Sequence, residues 1–265
     1  MPFIIWENLA SWRSHPSAAS LFTIHLIDRY SGEGDPHGHD WVPAECDVSI
    51  RPGWFWHASE LPKSAIILLD IYYKSAGRNC LLLLNVPPNS SGLISDEDVQ
   101  VLQEFTKLRE TIFSTNLARN AVVTASSTRG GITNSWFAPS NVLEKGIYTY
   151  WAPEEDQMNW VIYLDMGEAT LFNVLQVQEP IHKGQRIIKF HLDILTKKGH
   201  WQTVTSGTTV GYQRLLRFFT VESKMLRFVI DKSRADPLIA YLGVYHDTFS
   251  LMLGESSKTS QSYLR

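Results

Sequence analysis

Part-way along this chain of 265 residues, near residue 115, the spacing of the hydrophobic residues changes. Before that point apolar side chains recur every third or fourth position or run together. After it they alternate with polar ones. Helical spacing and alternation bury different surfaces, so the chain must combine two kinds of architecture. In the first part, Ala65, Ile66, Leu68, Leu69, Tyr72, Tyr73 and Ala76 share a helical face, and Gly77 follows where a helix commonly ends. Leu81-Leu82-Leu83-Leu84 is a continuous apolar run, the pattern of a strand buried on both faces of a parallel sheet. Pro87-Pro88 ends it, because proline cannot continue a ladder. Ser95 and Asp98 form a capping-box pattern, acids fill the first turn, and Val99, Leu102, Phe105, Leu108 and Ile112 make an inward stripe. Helix, buried strand, loop and helix are the grammar of a parallel α/β fold. Chemistry in such folds lies beyond the carboxyl ends of the strands, which singles out Asn85.

In the second part, Phe190, Leu192 and Ile194 alternate with His191 and Asp193, and Leu226, Phe228 and Ile230 with Arg227 and Asp231. Eight strand segments are expected, near 120–125, 159–165, 172–178, 187–195, 200–205, 214–221, 225–231 and 239–246. Their number and spacing predict a two-sheet β-sandwich of the jelly-roll kind. Residues 1–34 have weak periodicity, and the Ser- and Lys-bearing stretch 251–265 is expected to fray.

Composition excludes several classes. With 44% hydrophobic and 19% charged residues the chain can bury a core, so global disorder is excluded. A net charge of -3 offers no basic excess for phosphates, so no nucleic-acid partner is expected. No stretch approaches the roughly 18 apolar residues of a membrane helix, and no membrane association is expected. Met1-Pro2-Phe3-Ile4-Ile5-Trp6 lacks the basic and long apolar regions of a secretory signal peptide, so the chain as given is expected to start in the cytosol. Two cysteines, Cys46 and Cys80, allow at most one bridge, and Cys80, opening the leucine run, reads as a buried inert thiol.

Candidate chemistry concentrates between Asp35 and His57. Trp41, Trp54 and Trp56 would surround Glu45 if the chain folds back at Pro52-Gly53. A carboxyl held against indole faces is desolvated and stays protonated near neutrality, as a general acid must. The competing reading is that Glu45 simply pairs with Arg51. Asp47, between apolar neighbours, is a second carboxylate that backbone or Arg51 would occupy. His37 and His39, flanked by Asp35 and Asp40, lack a third ligand at clear spacing and read as a solvated loop, so no metal is expected. Asn89-Ser90-Ser91 has the form of an N-glycosylation acceptor. Tyr148 to Asp156 joins aromatics to three acids, compatible with a sugar platform or calcium loop, but better read as a solvated turn with Trp151 capping the sandwich.

The run Trp41-Val-Pro-Ala-Glu45-Cys-Asp-Val-Ser-Ile-Arg-Pro-Gly-Trp54-Phe-Trp56-His57 resembles glycoside hydrolase family 29, the α-L-fucosidases, most closely their plant-type branch. Gly77-Arg78-Asn79-Cys80 through Pro88, with Gly92-Leu93-Ile94, is similar to the last barrel strand of that family. Asn141 to Glu144, Thr149 to Pro153 and Leu242 to Tyr245 are similar to its trailing galactose-binding or discoidin-like sandwich. The resemblance implies residues 31–115 as the last part of a catalytic (β/α)₈ barrel and 116–250 as the sandwich, between a poorly matching segment 1–30 and a flexible tail 251–265. It implies a retaining exo-glycosidase acting on terminal α-L-fucose, α-1,3- or α-1,4-linked, in fucosylated glycans, without a cofactor, extracellular or apoplastic. Glu45 would be its general acid/base, with Trp54, Trp56 and Asn85 in the sugar pocket. The family's nucleophilic aspartate lies in a Trp-x-Asp-Gly context that occurs nowhere in this sequence. The chain therefore reads as the carboxyl-terminal part of such an enzyme, with 1–115 unstable or sticky alone and 116–250 able to fold by itself. The alternative is a carbohydrate-binding or interaction module working through the sandwich without catalysis. A discoidin-like adhesion role would rest on Trp136-Phe137 alone.

Overall fold

The computed structural model describes residues 35, 36, 38, 41 and 44–249. The expectations for 1–30, for His37 and His39 and for the tail from 251 fall outside these described residues. Strand β1 (Ala44–Ser49) is followed by helix α1 (Ala65–Lys74), strand β2 (Cys80–Asn85) and helix α2 (Asp96–Phe113). The sandwich follows as β3 (Val122–Ala125), β4 (Trp160–Gln178), β5 (Ile187–Leu195), β6 (Trp201–Gly207), β7 (Arg214–Ser233) and β8 (Tyr241–Tyr245). Parallel α/β and all-β parts are both present, at the places where the hydrophobic period predicts them.

The helices form where the apolar spacing requires. Ser64 caps α1, its side chain accepting from Ile67 N at 3.4 Å, and Ala65, Leu68, Leu69 and Tyr73 are buried. Gly77 is selected by space rather than by a left-handed backbone. A Cβ there would stand 2.5 Å from the Tyr73 carbonyl oxygen and 3.0 Å from Leu215 Cβ, and the Gly77 carbonyl accepts from Leu215 N at 2.7 Å. The expected capping box of α2 does not form. Ser95 makes no side-chain cap bond, and Asp98 turns inward to a more distant partner described below. Within the expected stripe Ile112 is buried, whereas Val99 is exposed.

All eight expected strand segments are extended, but 159–165 and 172–178 belong to the one strand β4, and 214–221 and 225–231 to β7. Gly167 (φ +80) sits in an irregularity where the β4–β7 register shifts between Asp165 and Thr170. Such bulges let a strand bend from one layer into the other without ending. The sheet order is β3-β4-β7-β5-β6, with β8 added to the second half of β4. Inward residues from both layers, including Ile162, Phe172, Phe190, Phe228, Leu242 and Val244, join Trp151 in one core.

The α/β part is fixed to the outer end of this sandwich. Leu69, Tyr73 and Ile112 share a cluster with Val174, Leu215 and Tyr245. The Tyr73 hydroxyl donates to Asp247 at 2.9 Å, and Asn79 both donates to the Val210 carbonyl and accepts from Gln213 N, each at 2.8 Å. Gly211 (φ +69) lies against that Asn79 side chain, where a Cβ would be 2.6 Å from Oδ1.

Candidate active site

β1 and β2 pair in parallel, with Glu45 opposite Leu81, Asp47 opposite Leu83 and Ser49 opposite Asn85. Alternation therefore divides the small sheet into two faces. Ala44, Cys46 and Val48 share one face with Cys80, Leu82 and Leu84. Ala44, Cys80 and Leu82 line a cavity of ≈ 460 Å³ with Tyr72 and Phe105 of the two helices. On the other face stand Glu45, Asp47, Leu81 and Leu83. Glu45 is exposed, Leu81 is 64% exposed and Leu83 48%. The leucine run is thus half-buried on one face and exposed on the other, not buried on both. A two-stranded sheet has no third strand or second layer to cover that side.

Cys46 and Cys80 form a disulfide, with Cα atoms 5.9 Å apart. The inert-thiol expectation for Cys80 is corrected. The two residues lie diagonally across neighbouring strands on the same covered face, a proximity that sequence separation conceals.

At the carboxyl end of the strands the Trp-bearing loop is clamped from three sides. The Asn85 amide Nδ2 donates to Ser49 Oγ at 3.1 Å and to the Trp54 carbonyl at 3.0 Å. Lys63 Nζ donates to the carbonyls of Ser49 (2.6 Å) and Arg51 (2.7 Å), and its partial burial lowers its pKa below the usual lysine value. Arg51 is 2% exposed and pairs at 3.0 Å with Asp98, itself 0% exposed, while its Nη1 donates to the Glu60 carbonyl. Both sequence readings that gave Arg51 to Glu45 or Asp47 are corrected, because the guanidinium is taken by α2. A carboxylate standing four residues before Leu102 on the apolar stripe was the available signal. Lys63 gave none.

The indoles do not gather around Glu45. Trp41 lines the cavity on the covered face, Trp54 is 47% exposed, and Trp56 lies with the Arg51 guanidinium 5.8 Å from its ring centroid. The described residues therefore bring Asn85, Trp54 and Trp56 together at the rim and place Glu45 on the open face below it, without the apolar enclosure expected around the carboxyl. In the sandwich, Trp151 is 0% exposed and donates to the Ser127 carbonyl at 3.0 Å, a core residue and not a platform. No group of three or more His, Cys, Asp or Glu among the described residues is arranged to hold a metal ion. No helix among them is long and apolar enough to cross a membrane.

Comparison with known proteins gives this geometry its setting. Alpha-L-fucosidase 1 of Arabidopsis thaliana is 62% identical over 234 residues, 88% of this chain and 46% of that protein. A relative from Oryza sativa subsp. japonica, also named for alpha-L-fucosidase 1, is 63% identical over 237 residues, 89% of this chain and 46% of its own length. The chain belongs to glycoside hydrolase family 29, the α-L-fucosidases. It spans about half the length of the curated relatives that it matches. No family model matches it. Among solved structures, SpGH29 superposes with a TM-score of 0.76 at 34% identity, covering 90% of this chain and 51% of that one. The Ruminococcus gnavus GH29 fucosidase solved in complex with fucose gives 0.75 at 33% identity, covering 81% of this chain and 43% of that one. The α/β pair in this fucosidase-family chain is accordingly a portion of a barrel, and the face bearing Glu45 is one that a closed barrel turns to its interior.

Proposed function

We propose that this chain carries the acid/base half of a retaining exo-glycosidase that removes terminal α-L-fucose, α-1,3- or α-1,4-linked, from glycans. The observation that carries the reading is the position of Glu45. It projects from a barrel-type strand onto the open face, beneath a rim built by Asn85 and the Trp54–Trp56 loop. In the completed enzyme Glu45 protonates the departing glycosidic oxygen and then takes the proton of the water that releases the sugar. An aspartate about 5 to 5.5 Å away attacks the anomeric carbon to form a covalent glycosyl-enzyme, and it leaves again as a carboxylate when the water activated by Glu45 displaces it. That aspartate is not in this sequence, which has no Trp-x-Asp-Gly segment. Trp54 and Trp56 supply apolar faces and Asn85 fixes their loop. The disulfide Cys46–Cys80 supports an oxidising, extracellular setting such as the apoplast.

The deciding experiment replaces the matching half of the Arabidopsis thaliana relative with this chain and assays a chromogenic α-L-fucoside. The chimera is expected to turn over, and Glu45→Gln to lower kcat/KM by about 10²- to 10⁴-fold, the usual contribution of a positioned acid/base. An E45Q chimera as active as its parent overturns the assignment. A second reading, a glycan-binding module without catalysis, is favoured by Trp136 and Tyr148, 82% and 81% exposed on the sandwich loops. Fucose binding by the chain that survives Glu45→Gln but not Trp136→Ala would select it.

A further inference from the structure

We infer that Asn89 carries an N-linked glycan at the rim of the candidate active site, added in the same oxidising compartment that forms the Cys46–Cys80 bond. Asn89-Ser90-Ser91 is the single Asn-x-Ser/Thr triplet in the 265 residues. It follows Pro87 and Pro88, which end β2 and push the chain out of the sheet. The fold then shapes it as an acceptor. Asn89 Oδ1 accepts from Ser91 N at 2.9 Å and from Leu93 N at 3.2 Å, while Asn89 N donates to the Leu93 carbonyl at 2.8 Å. An asparagine closed on its own backbone in this way holds its planar amide in one orientation. With Oδ1 engaged by both backbone donors, Nδ2 is turned away from the turn. Asn89 is half-buried, and Ser90, Ser91, Gly92, Leu93 and Ile94 are all exposed, so the acceptor triplet lies at the surface.

The second, independent observation is the disulfide. It persists in compartments of the secretory route and outside the cell, not in a reducing cytosol. N-glycans are added in that same route. In the transfer, Asn89 Nδ2 forms a bond to the anomeric carbon of an oligosaccharide activated as a lipid diphosphate. The carbon–oxygen bond to the diphosphate breaks, the diphosphate leaves with the electron pair, and one Nδ2 proton is released. The glycan would stand over Leu93, 67% exposed, and Ile94, 49% exposed, and would cover an apolar stretch of the rim otherwise left to water.

Trypsin releases residues 79–107 as one peptide, which carries both Asn89 and Cys80. In the natural protein, digestion with peptide N-glycosidase in heavy-oxygen water is expected to convert Asn89 to labelled aspartate. Before reduction, the same peptide should be linked to the one bearing Cys46. When the chain is expressed behind a cleavable secretory leader, it should lose one glycan-sized step in mobility on enzymatic deglycosylation. That step should be absent in Asn89→Gln and in Ser91→Ala. Ser91→Ala keeps the backbone donor to Asn89 Oδ1, so a folding failure of the first variant does not decide the matter. An unmodified natural peptide 79–107, or a mobility step that survives both substitutions, overturns the inference.

Discussion

The sandwich and the α/β segment are held together by opposite means. In the sandwich, inward residues of both layers share one core, within which Phe190 and Phe228 of neighbouring strands stand with ring centroids 5.2 Å apart, and every residue of β8 is buried. The α/β segment has two strands and two helices, and half of its sheet surface faces outward. Two strands are too few to stand alone in water. This segment depends on a disulfide, on the buried Arg51–Asp98 pair and on its seam with the sandwich, where Asp70 also pairs with Arg217 and Lys74. The proposed catalytic strand therefore belongs to the part of the molecule that leans on cross-links and on the seam, while the sandwich holds the larger closed core.

The largest expected effects test that asymmetry directly. Trp151→Ala empties the centre of the closed core and is expected to cost about 3–5 kcal/mol in denaturant unfolding, lowering the transition of both regions because the seam goes with it. Asp98→Ala leaves the Arg51 guanidinium buried without its counter-charge, worth about 3–5 kcal/mol where such pairs are broken. Its effect should be confined to the α/β segment. Hydrogen exchange is expected to accelerate in residues 50–63 and β1 while β4 and β7 stay protected. Equal acceleration in both regions would show that the seam makes them one cooperative unit.

A milder effect comes from pH. Glu179 is 0% exposed and accepts from Arg186 N at 2.7 Å, Ile187 N at 3.0 Å and Gly211 N at 2.8 Å. Burial nevertheless pushes its pKa up from 4.5 to about 7, only partly offset by those donors and by the Arg186 charge. Between these two values the folded chain holds a proton that the unfolded chain has released. Stability is therefore greatest below pH 4.5 as far as this group is concerned, and falls as pH rises towards 7, by up to about 3 kcal/mol at 1.36 kcal/mol per unit. Glu179→Gln is expected to flatten that slope in thermal unfolding followed across the window. Because Gly211 also borders Asn79, the loosening should reach the seam before the core.

The two regions also differ in how much of them the sequence makes legible. Period-2 alternation marks strand segments such as 187–195 and 225–231, because both layers are present to bury what alternation turns inward. The bends of β4 and β7 escape notice, since a bulge interrupts alternation as a turn does and splits each long strand into two expected segments. In the α/β segment, local patterns place α1, β2 and α2 correctly, but pairings between distant residues are invisible locally. Asp98 reads as a cap and serves Arg51, and Cys80 reads as a thiol and bonds Cys46. Leu81 to Leu84 read as doubly buried because the sequence reports the surroundings of a full barrel, whereas these residues supply only part of one. The same reason leaves Glu45 outside the indole enclosure that its neighbours suggest.

That mismatch yields the smallest thermodynamic effect. Leu81 and Leu83 are apolar residues facing water, so replacing them with polar ones removes little packing. Leu81→Thr with Leu83→Thr is expected to change unfolding free energy by no more than about 0.5 kcal/mol, as for surface sites generally. Leu82 and Leu84, on the covered face of the same strand, should behave differently: Leu82→Ala removes contacts in the helix-facing layer and falls in the about 2–5 kcal/mol range of core truncations, towards its lower end because the site is only partly buried. The outward pair should matter for association instead. An exposed parallel face with open strand edges is adhesive, and light scattering of the purified chain should show self-association that the double threonine variant reduces. If Leu81→Thr and Leu83→Thr instead destabilise the fold as much as Leu82→Ala does, the face carrying Glu45 is covered in solution and the contrast between a closed and an open region fails.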